Sequence, residues 1–377
     1  MVGVTAPSHV YPSLAVIDEL VRRGHRVRYA VGDRLAELVT RVGAEHVGYT
    51  SALPDTDDAW SGDPGEAMQL FLDEQRTALP RLLEGDPADA LLYDIGGYAA
   101  RIAAHHWGVP AIQLSPTYVA WDGYEEDMAE FTAGLKASAS GARYFAGVRA
   151  WLDEHGMAID EDAFLGRPDT CVVLIPRALQ PNNDRVGPQY VFTGPCIDAG
   201  RTAGWAPEPG DERPLVYVAF GTSYTDNLPV YRAAVDGLAG AHRLVIATGK
   251  VDPAAFGPVP AGVRAERTQP QLDVLAYADA FVTHAGMGSA AESLWFGVPT
   301  VAVPQAVDQF TNAAQLAAIG AGVQLPTEQV TAETLRDAVA EALTRAPRAR
   351  ELREEVRQNG GVAASADAVE RLAHRDV

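Results

Sequence analysis

Three short apolar runs end in residues able to do acid–base or anion chemistry. His9 follows residues 2–6 in Ala6-Pro7-Ser8-His9-Val10-Tyr11-Pro12, and Asp94 closes Leu91-Leu92-Tyr93-Asp94. A carboxylate that holds one imidazole nitrogen turns the other toward substrate as a general base. That pairing requires the two runs to be neighbouring strands ending on one edge; otherwise His9 is a satisfied structural histidine. His284 ends a third run, in Phe281-Val282-Thr283-His284-Ala285-Gly286-Met287-Gly288-Ser289-Ala290-Ala291-Glu292. A strand passing through glycines into a helix lets backbone N–H groups meet a phosphate, and the helix dipole favours the anion. His284 would add a donor there. Two other readings stand beside this one. Ser289-x-x-Glu292 spells a capping box, which needs no ligand. Gly286-x-Gly288-x-x-Ala291 with Asp308 spells a dinucleotide fingerprint, although that pattern normally opens its domain and has no use for the preceding histidine.

A second glycine turn, Phe220-Gly221-Thr222-Ser223, either wraps the same phosphates or caps the next helix. Asp308-Gln309, an acceptor beside an amide, suits sugar hydroxyls. Other candidates carry less. Asp55-Thr56-Asp57 lies in an acidic loop and reads as solvated, and His105-His106 are adjacent on a helix, so their rings diverge. The chain contains no Walker loop, serine elbow or zinc spacing.

These residues need a scaffold that delivers strand ends to one edge. The first half alternates strands (2–6, 25–31, 45–49, 90–93, 109–114) with helices (from Pro12 to Gly24, 33–42, 66–83, 97–107). Residues 194–214 are rich in turn formers and acids, and the pattern then restarts. Strands are expected at 215–220, 243–248, 262–266, 280–283 and 300–303. Helices are expected up to 238 and at 271–277, 288–296, 309–319, 331–343 and 347–372, with a break at Gly360-Gly361. Such alternation predicts an α/β protein of two doubly wound parallel sheets, which bind ligands at the carboxyl ends of their strands. Two facing sheets would leave a cleft between them. The expected division is an N-terminal domain 1–195, a linker 196–214, a C-terminal domain 215–355, and a closing helix 356–377 that returns to the first domain.

Composition narrows the function. Fifty acidic residues against 30 basic ones give a net charge of −20, which argues against nucleic acid or an anionic membrane surface as partner. Two cysteines, Cys171 and Cys196, supply no disulfide framework, and no apolar run reaches the ~18 residues of a membrane span. With no signal peptide, a cytoplasmic protein is expected.

The assembled motifs resemble the inverting GT-B-fold glycosyltransferases, in particular the bacterial macrolide glycosyltransferases. The resemblance rests on residues 8–14, Arg23-Gly24-His25-Arg26-Val27, Tyr93-Asp94-Ile95, Trp107-Gly108-Val109-Pro110, residues 173–180, and the long run from Thr283 through Gly297-Val298-Pro299 to Phe310. It implies two Rossmann-like domains facing a cleft, an acceptor held by the first and a nucleotide sugar by the second. His9 would be the base and Asp94 its partner. His284, Gly288 and Ser289 would meet the diphosphate, Glu292 the ribose, and Asp308 and Gln309 the sugar; Gly221 and Gly286 would also bind the donor, and Thr222 stands where the family has a serine near the phosphate. Thr268 and Gln271 occupy the family's W-x-P-Q motif, where Thr268 replaces the aromatic that stacks on the base; Ser8 replaces a glycine before the motif histidine. The aromatics of loops 51–75 and 115–150 (Trp60, Phe71, Tyr118, Trp121, Tyr124, Phe131) would line a pocket for a large apolar acceptor. The expected donor is UDP-glucose, with a TDP-deoxysugar as alternative and no metal or other cofactor. A sugar-nucleotide epimerase or a catalytically silent partner of another transferase is the remaining reading. A monomer or homodimer is expected.

Overall fold

The computed structural model describes residues 1–55, 60–221, 225–306 and 308–374. It divides into two compact units: residues 1–174, 182–196 and 361–377 form the first, and residues 175–181 and 197–360 the second. The 175–181 segment, expected in the N-terminal domain, thus packs with the second unit.

In the first unit β1 (Arg28–Ala30) pairs in parallel with β2 (Glu45–Val47), while β3 (Leu91–Tyr93), β4 (Ala111–Ser115), β5 (Cys171–Val173) and β6 (Tyr190–Phe192) form a parallel set in that order. The chain's first residues join the two sets. Val2 bridges both Ala30 and Tyr93, with Val2 N–H to Leu92 at 2.8 Å and Gly3 N–H to Ala30 at 3.0 Å. The strand expected over residues 2–6 is therefore a single bridge position. Ala6 N–H turns back onto the Val4 carbonyl, so the chain leaves the ladder there. The following helix is Pro7–Arg22, opening five residues before the expected start at Pro12. Pro7 suits the first turn because no N–H is needed there, and Pro12 is tolerated inside because the helix is exposed around Ser8, whose carbonyl it would otherwise have paired.

The second unit holds β7 (Leu215–Ala219), β8 (Arg243–Ala247), β9 (Val263–Glu266), β10 (Ala280–Thr283), β11 (Thr300–Ala302) and β12 (Gly322–Gln324). Their spatial order is β12-β11-β10-β7-β8-β9, all parallel. The sequence reading lacks β5, β6 and β12, three-residue strands too short to show a period. Each sheet is buried on both faces. Val216, Val218 and Phe220 point into one cluster and Leu215, Tyr217 and Ala219 into another, as successive residues of a strand must.

The closing stretch breaks where the glycines predict, between Ala346–Arg357 and Gly361–Ala373. The last helix belongs to the first unit. Arg23 reaches Asp367 at 2.6 Å and Glu370 at 2.8 Å, and Thr193 and Ser365 hydroxyls meet at 2.7 Å. Among the described residues no helix is long and apolar enough to cross a membrane, and both cysteines are free.

Candidate active site

Both sheets change winding direction between their first strand and their fourth. In the first unit the opening residues lie between β1 and β3; in the second, β7 lies between β8 and β10. A crevice opens at such switch points, beyond the carboxyl ends of the strands. The candidate residues sit there in both units.

In the first unit His9 is the third residue of the Pro7–Arg22 helix, and Asp94 directly follows β3. His9 Nδ1 lies 2.8 Å from Asp94 Oδ1. Asp94 is buried, with 2% of its side chain exposed, while His9 keeps 26%. Gly96 N–H donates to the same Oδ1 at 3.2 Å, and Asp94 N–H donates to Val2 at 3.0 Å, so the carboxyl cannot swing away. The carboxylate accepts from Nδ1–H, a tautomer that puts the lone pair on Nε2.

Phe71 lies against His9 with ring centroids 6.4 Å apart, and Trp60 packs at a tilt against Phe71 at 5.7 Å. Trp121 and Tyr124 make a separate edge-to-face pair at 5.0 Å, with the Trp121 indole donating to Asp127 at 2.8 Å. Tyr118 is half-buried in the same 115–124 loop, and Phe131 is exposed. Beneath the 51–53 loop lies Glu74, fully buried, which nothing in the sequence singles out. Its carboxylate accepts from Thr5, Tyr49, Ser51 and the Ala52 N–H. It fastens that loop to the segment entering the His9 helix.

In the second unit β10 runs into His284, and Ala285 takes φ +61, a left-handed conformation rare for a residue with a Cβ. Two side chains hold it. Thr283 Oγ1 accepts from Ala285 N–H at 3.2 Å, and Asn312 Nδ2 donates to the Ala285 carbonyl at 2.9 Å. The Met287–Phe296 helix then starts with Gly286 as N-cap and, among the described residues, no side-chain cap. The capping-box alternative is thereby corrected: Ser289 and Glu292 both lie inside the helix, too far along to form one. The first-turn N–H groups are left for a ligand.

The His284 ring is wedged between glycines. A Cβ on Gly221 (φ +73) would come within 2.8 Å of the imidazole, and one on Gly286 would fall on Nε2. Burial lowers the His284 pKa to about 4, only partly opposed by a hydrogen bond to the Ala219 carbonyl. The ring is neutral at pH 7, with its single N–H directed to Ala219. Gly288 faces open space.

Glu292, 7% exposed, binds the Arg201 guanidinium at 2.6 Å through Oε1 and the Gln271 amide through Oε2. Gln271 also reaches Ser289 Oγ at 3.4 Å. Thr268 is exposed in the loop before the Gln271–Leu275 helix. Asp308 is exposed and accepts from Asn312 at 2.9 Å. Gln309 is 5% exposed, and its Oε1 accepts from the backbone of Gln305 at 2.8 Å and Ala306 at 3.2 Å. That oxygen holds the backbone of Gln305 and Ala306, which leaves the amide nitrogen as the group suited to a sugar hydroxyl. Thr222, like Thr56 and Asp57 of the acidic loop, lies outside the described residues. His106 meets not His105 but His155, at 3.1 Å. Among the described residues no group of three or more His, Cys, Asp or Glu side chains is placed to hold a metal ion.

Arg201, Asn312 and Glu74 are the site residues the sequence reading missed. Each is remote in sequence from the motif it serves, so only a contact reveals it.

Comparison with known proteins identifies the family. Residues 235–370 match the family described as erythromycin biosynthesis protein CIII-like, C-terminal domain. The oleandomycin glycosyltransferase of Streptomyces antibioticus is 41% identical, over 98% of this chain and 89% of its own length. The demethyllactenocin mycarosyltransferase of Streptomyces fradiae is 30% identical, over 97% and 84%. Among solved structures, the glycosyltransferase of kitacinnamycin superposes with a TM-score of 0.90 at 40% identity, over 99% and 97% of the two chains. The chain belongs to the GT-B nucleotide-sugar-dependent glycosyltransferases, the family of the bacterial macrolide and antibiotic glycosyltransferases.

Proposed function

We propose that this enzyme transfers a hexose, glucose from UDP-glucose, to a hydroxyl of an apolar natural product such as a macrolide or other polyketide, with inversion at the anomeric carbon. The observation that carries the reading is the 2.8 Å His9–Asp94 contact beside the Phe71 and Trp60 rings. It supports reading His9 as a base whose Nε2 lone pair serves an acceptor held against that apolar surface. His9 Nε2 takes the proton of the acceptor hydroxyl as that oxygen bonds to the anomeric carbon. The bond to the diphosphate breaks in the same displacement, and the electron pair leaves with it.

The departing charge is met by the N–H groups at the start of the Met287–Phe296 helix, dipoles already in place when the charge develops. His284 contributes by taking up a proton as the diphosphate settles beside it, because an adjacent anion favours the charged imidazole. No divalent cation is required for this. Glu292 holds the ribose, and Asp308 with the Gln309 amide holds the sugar. The exposed Thr268, without an aromatic face for the base, keeps a TDP-sugar as the second reading of the donor.

The test is direct. The purified chain is incubated with UDP-glucose or TDP-glucose and a panel of apolar alcohols, in EDTA, and products are read by mass spectrometry and by the anomeric coupling in NMR. A β-glucoside formed from UDP-glucose is expected. An α-glucoside would overturn the single displacement, turnover restored only by a divalent cation would overturn the metal-free reading, and a strong preference for TDP-glucose would overturn the donor.

A further inference from the structure

We infer that Arg201 is a positioning residue of the donor site: its ion pair with Glu292 fixes the carboxylate that reads the ribose diol, and so sets a preference for ribonucleotide over 2′-deoxyribonucleotide donors. The inference rests on the reading of Glu292 as the ribose residue. Arg201 comes from the stretch that sequence alone marks as a linker. The chain there is anything but loose. The 3-10 turn Ala199–Arg201 is capped by Asp198, whose Oδ1 accepts from Gly200 N–H at 2.8 Å. Just beyond, Ala203 and Trp205 N–H groups donate to Asp273 Oδ2 at 2.7 and 3.0 Å. Asp273 stands on the Gln271–Leu275 helix, the same helix that offers Gln271 to Glu292. The turn is thus stitched to the donor site through Glu292 and, just beyond the turn, through Asp273.

The chemistry follows from counting lone pairs. A carboxylate oxygen can accept about two hydrogen bonds, so Glu292 has roughly four acceptor sites. Arg201 takes one on Oε1 and Gln271 takes one on Oε2. Among the described residues one site remains on each oxygen, matching the two hydroxyls of a cis diol. A buried carboxylate without a cation is costly, and the guanidinium supplies that cation. A 2′-deoxyribose offers one hydroxyl where two sites wait. A lysine would restore the charge but not the planar geometry that orients the carboxylate.

The experiment is calorimetric titration of the full chain with UDP and with 2′-deoxy-UDP, for wild type, Arg201→Ala, Arg201→Lys and Glu292→Ala. Wild type is expected to bind UDP about 10-fold more tightly than 2′-deoxy-UDP, the discrimination of one well-placed hydrogen bond to a charged group. Arg201→Ala is expected to lose about 10-fold in UDP affinity and most of the discrimination, and Arg201→Lys to recover part of both. Thermal melts of the two Arg201 variants establish that they are folded. Equal losses for both nucleotides in Arg201→Ala, with the ratio preserved, would overturn the inference, as would tighter UDP binding. Glu292→Ala distinguishes the two failures. If it too preserves the ratio, the ribose reading itself is wrong; if it collapses the ratio while Arg201→Ala does not, only the role of Arg201 falls.

Discussion

The two units have the same sheet topology and place a histidine at the same topological point, yet they make opposite uses of it. In the first, the histidine follows the opening bridge residues and a carboxylate follows β3; in the second, a glycine lies just beyond β7 and the histidine follows β10. His9 is a quarter exposed and leans on Asp94. His284 is packed between Gly221 and Gly286, donates to the Ala219 carbonyl, and has its pKa lowered to about 4. A carboxylate partner makes an imidazole a better base, whereas desolvation without one holds it neutral. The fold supplies a position, and the neighbour supplies the chemistry.

The largest effect should come from the carboxylate-backed ring. His9→Ala is expected to lower turnover by roughly 10²–10⁴-fold, the usual contribution of a general base, while UDP affinity measured by calorimetry stays within about two-fold. Asp94→Asn should cost less, roughly 10–100-fold, because an amide oxygen still accepts from Nδ1–H but without the charge. If Asp94→Asn and His9→Ala leave turnover near wild type with an alcohol acceptor, the catalytic assignment of this pair is wrong. On the other side of the comparison, Gly286→Ala should act through packing. Its φ of −59° suits alanine, so the fold is expected to survive, but the new methyl displaces the His284 ring. About a 10-fold loss of UDP affinity is expected. Gly288→Ala adds a methyl in open space one turn-position away and should leave the ring untouched. Equal losses in the two variants would mean that crowding of the ligand, not the imidazole, is responsible.

How far the sequence reveals such a site depends on whether the information is local. The β10 strand, the glycines and the helix that begins at Met287 are consecutive, and the sequence predicts that helix within one residue of its observed start. The His9–Asp94 contact joins residues 85 apart, yet the strand-end rule anticipates it, because parallel strands share an edge. The opening of the first unit is harder to read, because two prolines compete for the helix start and the structure chooses Pro7. Strands β5, β6 and β12 carry no signal, as three buried residues show neither the period of a strand nor that of a helix. Arg201 and Asn312 escape for another reason. Each completes the hydrogen bonding of a motif from outside it, and no spacing rule links an arginine at 201 to a glutamate at 292.

The smallest effect tests the neutral character of His284 through stability. Because the folded ring has a pKa near 4 and a free histidine about 6.5, the unfolded chain binds more protons between those values. Stability should therefore rise with pH across that window, and the contribution is fully present above about pH 6.5 and lost as the pH falls toward 4. A tenfold difference in proton affinity between folded and unfolded chain corresponds to about 1.4 kcal/mol, so roughly 1–3 kcal/mol is at stake once partial exposure of the ring is allowed for. His284→Gln keeps a donor for the Ala219 carbonyl and removes the titration. Its melting temperature should fall less steeply than that of wild type between pH 6.5 and 4.5, with the two curves parallel above pH 7. UDP should flatten that dependence for the wild type alone. An anion beside the ring raises its pKa, so binding takes up protons, and affinity should increase as the pH drops from 7 toward 5. Identical slopes in wild type and variant, with and without UDP, would show that His284 never meets the diphosphate and that its burial serves packing alone.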